Sequence, residues 1–325
     1  MRNDRGTVST EVVMIGFVIL SHDSPVQLRR LVTTLNRMYD FPPIACHHDF
    51  SQSQLDPADY PNVKFVEPSL KTGWGQWSLV EATLLAIRQL YTFADPDWFM
   101  LISASDYPVA SAQDVRRDLA ESDADVLMDY RKVPVSGAAR EVPGAAACLA
   151  HHGTEGNIRL ARIRYLRSIL KIPMLRTDGL SRRHGARLKW RIGAFTASFG
   201  FRSPTSPFRN GFECYVGSQW FTARRTVAHS ILDPSPIARA LSRYLRWRVV
   251  PDETYFQSLL CNDDRFKIDP DPRRYADWGQ GGAHPKWMNR DRIERARAAG
   301  AHFARKFRSG AVELDELDAR LNASR

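Results

Sequence analysis

Phe99-Met100-Leu101-Ile102-Ser103-Ala104-Ser105-Asp106-Tyr107-Pro108-Val109 is an apolar run that ends in a polar turn. A short continuous apolar stretch bounded by turn residues fits a strand buried on both faces. Towards the N-terminus, similar runs alternate with segments of helical periodicity. Phe17 to Leu20 reads as a strand, Val26 to Met38 as a helix with Pro25 at its entry, and Ile44 to His48 and Val63 to Val66 as strands. Ser78 to Tyr91 reads as a helix packing Leu79, Ala82, Leu85, Ala86 and Leu90, and Trp98 to Ile102 as a further buried strand. The alternation predicts an α/β protein with a mostly parallel sheet flanked by helices. Such sheets bind ligands outside the carboxyl ends of their strands. The polar exits Ser21-His22-Asp23, His47-His48-Asp49 and Ser103-Ala104-Ser105-Asp106 therefore form the candidate site.

Further along, Val250-Pro251-Asp252-Glu253-Thr254-Tyr255-Phe256-Gln257-Ser258-Leu259-Leu260 reads as a helix with acids at its mouth. Pro251 suits a first turn, and the positive end of the helix dipole favours the anions of Asp252 and Glu253. A carboxylate kept ionised there can take a proton from a hydroxyl, an effect typically worth about 10²–10⁴ in rate. Ordinary N-terminal capping is the competing reading.

Two more stretches are unusual. Cys214-Tyr215-Val216-Gly217-Ser218-Gln219-Trp220-Phe221-Thr222 sets glycine, serine and aromatics side by side in a strand-like segment. Arg274-Tyr275-Ala276-Asp277-Trp278-Gly279-Gln280-Gly281-Gly282-Ala283-His284-Pro285-Lys286 is followed by His302-Phe303-Ala304-Arg305-Lys306-Phe307. Together with the strand at 99–109 and the Pro-Asp-Glu segment, and in this order, they resemble the core-2/I-branching glycosyltransferases, a family that includes β-1,6-N-acetylglucosaminyltransferases and peptide O-xylosyltransferases. The resemblance runs from Gly16 to Phe307. Between Tyr130 and Phe212, where the family's acceptor-binding residues largely fall, almost nothing matches.

The resemblance implies a GT-A-like, Rossmann-type mixed sheet and an inverting transfer from a UDP-sugar, with N-acetylglucosamine the first choice of donor and xylose the second. It implies Glu253 as general base and Lys286 and Lys306 as the cations that meet the leaving diphosphate. Solvated surface charge is the competing reading for both lysines. His22, Asp49 and Asp106 become nucleotide-sugar contacts, against plain loop or turn roles. Gly217, Ser218 and Gln219 shape the donor or acceptor cleft, with Trp74, Gln76 and Trp77 as a second group. Trp278 either stacks on a sugar face or belongs to the core.

Many glycosyltransferases of this architecture hold a metal through Asp-x-Asp. Here that spacing occurs at Asp95-Pro96-Asp97, Asp123-Ala124-Asp125 and Asp269-Pro270-Asp271. The first two precede apolar strands and the third lies among prolines, so all three read as turns. No divalent metal and no cofactor are expected, because fixed Lys or Arg side chains can stabilise a leaving diphosphate. Adjacent His47 and His48 on a strand point to opposite faces and make a poor metal pair.

A 325-residue chain with 43% apolar and 25% charged residues has ordinary globular composition. Residues 14–310 are expected as one catalytic domain: a nucleotide-binding half at 14–130, a variable basic insertion at 131–212 and a catalytic half at 213–310. Residues 1–13 read as an extension and 311–325 as a tail. Cys46, Cys148, Cys214 and Cys261 form no Cys-x-x-Cys pair, which argues for free thiols. Val12 to Leu20 is nine residues, short of the roughly 20 a membrane span needs. A cytoplasmic enzyme is expected, with peripheral contact at the inner face of the membrane left open. The formal net charge is +10. Much of it lies between 157 and 192, where Arg159, Arg162, Arg164 and Arg167 interleave with Ile158, Leu160, Ile163 and Leu166. That pattern reads as a basic amphipathic helix, either against an anionic surface or facing water. Basic charge also fits a non-catalytic glycan- or nucleic-acid-binding protein, yet no nucleic-acid motif accompanies it. A sugar-binding pseudoenzyme would lack a base, and Glu253 is present.

Overall fold

The computed structural model describes residues 13–134, 155–178, 191–202, 205–279 and 284–323. The first part runs β1 (Ile15–Ser21), α1 (Pro25–Tyr39), β2 (Ile44–His48), β3 (Val63–Phe65), α2 (Trp77–Phe93) and β4 (Trp98–Ser103). It continues through β5 (Asp106–Pro108), α3 (Ala112–Glu121), β6 (Val126–Leu127), β7 (Arg131–Lys132), a helix at Glu155–Ala161, β8 (Arg167–Asp178) and β9 (Arg191–Arg202). The last part holds β10 (Tyr215–Val216), β11 (Thr222–Arg224), β12 (Ile268–Asp269), β13 (Arg274–Ala276) and β14 (Phe303–Arg305), with helices at 225–232, 236–245, 255–260, 290–298 and 312–323.

Seven strands form the main sheet in the order β12-β6-β11-β4-β1-β2-β3. All neighbours are parallel except β11, which runs against both β4 and β6. This is the expected GT-A-like α/β architecture. Alternate side chains of the central strands enter two separate cores. Phe17, Ile19, Met100 and Ile102 pack with Leu28, Leu31 and Leu35 of α1 and with Val115 and Leu119 of α3. Val18, Leu20, Phe99 and Leu101 pack with Val80, Ile87 and Leu90 of α2 and with Val227, Leu241 and Phe256. Each fully buried side chain of this size contributes about 1.5–3 kcal/mol. The chain goes from β1 outward to β2 and β3, then returns to the other side of β1 as β4. That reversal leaves a crevice at the carboxyl ends of β1 and β4.

Two expectations are corrected. The basic segment is not one helix. After the helix at 155–161 and a π-turn at Arg162–Leu166, residues 167–178 form a strand paired antiparallel with 191–202. Pro173 would break a helix interior by removing a hydrogen bond, whereas an edge strand tolerates it. The arginines between 182 and 189 lie outside the described residues, as does Cys148. The supposed tail at 311–325 instead forms the helix Val312–Ala323, with Leu314, Leu317 and Leu321 buried. Asp318 joins it to α1, accepting from Thr34 Oγ1 at 2.8 Å, Tyr107 Oη at 2.7 Å, Arg30 Nη2 at 2.7 Å and Arg37 Nη2 at 3.0 Å. Among the described residues no helix is long and apolar enough to cross a membrane.

Asp318→Ala removes the acceptor shared by Thr34, Tyr107, Arg30 and Arg37, leaving Arg37 without its carboxylate while Arg30 keeps Asp315 and Tyr107 keeps Thr34. It is expected to lower stability by about 2–4 kcal/mol, read as a reduced midpoint in urea unfolding.

Candidate active site

A cavity of about 1130 Å³ opens at the crevice predicted by the strand order. Ser21, His22 and Asp23 at the end of β1 and Ser103, Ala104 and Ser105 at the end of β4 form its floor. Four further segments complete the walls: Gly73–Trp74, Leu160–Tyr165, Ser218–Trp220 and Val250–Glu253, together with the loop at Tyr275–Gly279 and the pair Arg305 and Lys306.

Glu253 reaches this cavity from a tightly fixed turn. Pro251–Glu253 is a 3-10 turn and the α-helix starts only at Tyr255, so the two acids precede the helix that was expected to hold them. Val250 enters the turn with φ 59° and ψ 50°, a left-handed conformation that costs a β-branched residue on the order of 1–3 kcal/mol. Three contacts over-determine it. Val250 N–H donates to the Gly75 carbonyl at 2.8 Å, Tyr165 Oη donates to the Val250 carbonyl at 2.6 Å, and Gly217 N–H donates to the Glu253 carbonyl at 2.9 Å. Gly75 lies close enough that a Cβ there would stand 3.2 Å from Val250 Cγ2.

Gly217 has a steric role. A Cβ at this position would lie 1.9 Å from the Asp129 carbonyl oxygen, so only glycine lets the chain pass. The next residue, Ser218, donates its N–H to Asp129 Oδ2 at 3.1 Å, and Gln257 Nε2 donates to the Ser218 carbonyl at 2.7 Å. Sequence reading missed Asp129. It ends the apolar run Val126-Leu127-Met128, the same strand-exit signal that marked Asp106.

Three carboxyls therefore crowd one wall, and burial raises each of them. Asp129 is pushed up to about 7 and Asp252 to about 6. Glu253 is pushed up to about 8, by burial first and the neighbouring Asp252 second, with the Arg164 guanidinium opposing. Burial thus works against the ionised carboxylate that the helix dipole was expected to favour. Desolvation outweighs the end of a helix that begins two residues later.

Cations reach the cavity by another route. In the small sheet β13-β14-β5, Arg305 pairs with Asp106 across the β14–β5 ladder and with Ala276 on its other side. The Arg305 Nε lies 3.4 Å from Asp106 Oδ1, and its guanidinium stacks 4.5 Å over Trp220. Asp106 is buried and also accepts from Ser103 N–H and Oγ at 3.1 and 3.0 Å. Asp106 thus lies behind the floor and from there positions Arg305, which lines the cavity. Lys306 also lines the cavity, its Nζ 5.0 Å from the Trp287 ring.

The remaining candidates divide clearly. His22, Ser218, Gln219 and Trp278 line the cavity, as does Trp74. Asp49 stands one layer behind, accepting from Ser51 N–H and Oγ, Gln52 Nε2, and Thr72 N–H and Oγ1 at 2.6–3.0 Å. Burial opposes its ionisation, but these bonds outweigh burial and hold it well below the usual carboxylate range. Its visible task is to pin the loop that carries Trp74, aided by His47 Nε2, which accepts from Leu70 N–H at 3.0 Å. Trp77 is buried edge-on to Tyr255 at 5.2 Å. Lys286 is exposed and folds over Gly279, whose φ is 57°. Residues 280–283, with Gly281 and Gly282, lie outside the described residues. None of the six Asp-x-Asp aspartates lines the cavity. Asp95 and Asp97 pair with Arg225 at the amino end of β4, Asp123 and Asp125 meet Lys267 and Arg224, and Asp269 and Asp271 clasp Arg273. Cys46, Cys214 and Cys261 are free thiols.

A family model of the core-2/I-branching enzymes matches residues 15–155 and 174–303. The chain belongs to the core-2/I-branching enzyme family. It is accordingly a glycosyltransferase, taking a sugar donor and a glycan acceptor. The two matched blocks contain the crevice, the Pro-Asp-Glu turn and the β13 loop; the gap between them contains Arg164. No curated protein matches the chain.

Gly217→Ala forces Cβ into the Asp129 carbonyl, and is expected to lower the thermal midpoint by several degrees and to abolish transfer. If Glu253 serves as the general base, kcat/KM is expected to rise with pH through about 8, because a base acts only when deprotonated. Asp252→Asn removes the adjacent negative charge and should move that inflection downward. An unmoved inflection would show that Asp252 does not act on Glu253.

Proposed function

We propose that the enzyme transfers N-acetylglucosamine from UDP-N-acetylglucosamine to a glycan hydroxyl, with inversion at the anomeric carbon and without a divalent metal. The observation that carries this reading is the rigid turn that brings Glu253 to the wall of a cavity that also holds Arg305 and Lys306. Glu253 takes the proton of the acceptor hydroxyl as its oxygen attacks the anomeric carbon. The bond from that carbon to the diphosphate oxygen breaks, and UDP leaves with the electron pair. Attack opposite the leaving group turns an α-linked donor into a β-linked product.

Arg305 and Lys306 supply the positive charge that the departing diphosphate needs. The metal-free reading rests on these two cations and on the Asp-x-Asp pairs, whose charges are spent on Arg225, Arg224, Lys267 and Arg273 away from the cavity. His22 and the serines at the ends of β1 and β4 suit the nucleotide-sugar, since the strand-order reversal is where such sheets take nucleotides. Trp278, Ser218 and Gln219 suit the sugar face of either substrate. UDP-xylose is the second donor, because the same cavity would take a pentose.

Glu253→Gln is expected to cut transfer by about 10²–10⁴ while leaving UDP-sugar affinity within a few-fold of wild type. Transfer should survive excess EDTA in the wild-type enzyme. Rescue by Mn²⁺ after EDTA treatment would refute the metal-free reading.

A further inference from the structure

Two exposed apolar side chains line the cavity that holds Glu253, and two more lie in the segment that leads into its turn. Trp74 is 68% exposed and Leu160 47%, and both line the cavity. Val249 is 57% exposed and Trp247 is 85% exposed. They belong to one rim. Val250 N–H donates to the Gly75 carbonyl at 2.8 Å, which holds Val250 beside Gly75, next to Trp74 in the chain, and brings Trp247, three residues earlier, to the same side of the cavity. A Cβ at Gly75 would sit 3.7 Å from Val249 Cγ1. Tyr165 then ties the Leu160 side to the same point through the Val250 carbonyl.

The charge around this rim has one dominant sign. Arg159 adjoins Leu160, and Arg243 and Arg246 precede Trp247; all three are exposed. Arg246 meets Glu81 at 2.7 Å. Arg164 lines the cavity immediately inside the rim. The helix Pro236–Leu245 is already satisfied on its apolar face, with Ala238, Leu241, Tyr244 and Leu245 buried, so Trp247 and Val249 project past it.

We propose that this rim docks on an anionic lipid bilayer, with Trp247, Trp74, Val249 and Leu160 entering the interfacial layer and Arg159, Arg243 and Arg246 meeting the headgroups. Tryptophan favours the membrane interface because its ring is apolar and its N–H stays wet. Arginine adds attraction to anionic headgroups that vanishes on a neutral surface. An exposed aromatic surrounded by cations matches that combination. Docking in this way turns the cavity mouth towards the lipid. Given the glycosyl-transfer reading above, the acceptor is then a lipid-linked saccharide whose sugar enters beside Glu253.

Vesicle binding tests the docking independently of turnover. Full-length protein is co-floated with phosphatidylcholine vesicles and with vesicles that also contain phosphatidylglycerol, for wild type, Trp247→Ser and Arg159→Gln/Arg243→Gln. Wild type should bind the anionic vesicles and leave the neutral ones. The arginine pair variant should bind about tenfold or more weakly. Trp247→Ser should bind several-fold more weakly, with an unchanged unfolding midpoint because its side chain is exposed. Equal binding to both vesicle types, no binding, or unchanged binding in Trp247→Ser would overturn the proposal. So would a change of oligomeric state in Trp247→Ser without loss of vesicle binding, which would assign the rim to a second copy of the chain. Loss of vesicle binding with UDP-sugar hydrolysis intact separates failure of docking from failure of the catalytic reading.

Discussion

The parallel ladder that joins β1 to β4 fixes where everything else can lie. Both strands are apolar on both faces and buried along their length, so their alternate side chains fill two cores at once. Polar residues return only where the ladder ends, at Ser21-His22-Asp23 and Ser103-Ala104-Ser105. Because β2 continues the sheet on one side of β1 and β4 on the other, the covering segments diverge at that end and leave a crevice. A large cavity with a polar floor therefore opens at the end of the most apolar part of the molecule.

The wall that carries Glu253 is built by long-range steric and hydrogen-bond closure. Glycine at 217 lets one strand pass against the Asp129 carbonyl, and the same glycine's N–H holds the Glu253 carbonyl. Val250 sits in a disfavoured backbone conformation because Gly75 and Tyr165 hold it from two sides. Backbone strain of this kind persists only where the surroundings over-determine it. Its result is a carboxyl held in a desolvated wall next to two other acids, with Arg164 as the opposing charge. In the proposed role, a carboxyl that is harder to ionise becomes a stronger base once deprotonated, which suits removal of a hydroxyl proton.

Local pattern made the sheet half legible. The strands at 15–21, 44–48, 63–65 and 98–103 and the helices at 25–39 and 77–93 follow the apolar runs and periodicity of their own residues to within two positions. Where long-range contacts decide, local reading failed. Pro-Asp-Glu looked like a helix start, but the left-handed Val250 depends on residues 85 and more positions away, and the helix starts only at Tyr255. Charge alternation at 157–192 suggested a helix, while pairing with 191–202 makes 167–178 a strand. Asp129 and Arg305 gain their places from Ser218 and Asp106, partners that no local window contains. Asp49 was visible as a strand-exit acid, although its five donors from Ser51, Gln52 and Thr72 were not.

A crystal structure with the unhydrolysed UDP-sugar bound would show the reacting geometry itself. The diphosphate should lie beside Arg305 and Lys306, with the anomeric carbon facing the Glu253 carboxyl from the side opposite the leaving oxygen. A nucleotide seated away from the β1–β4 crevice, or a diphosphate held by a metal on one of the Asp-x-Asp pairs, would contradict this arrangement.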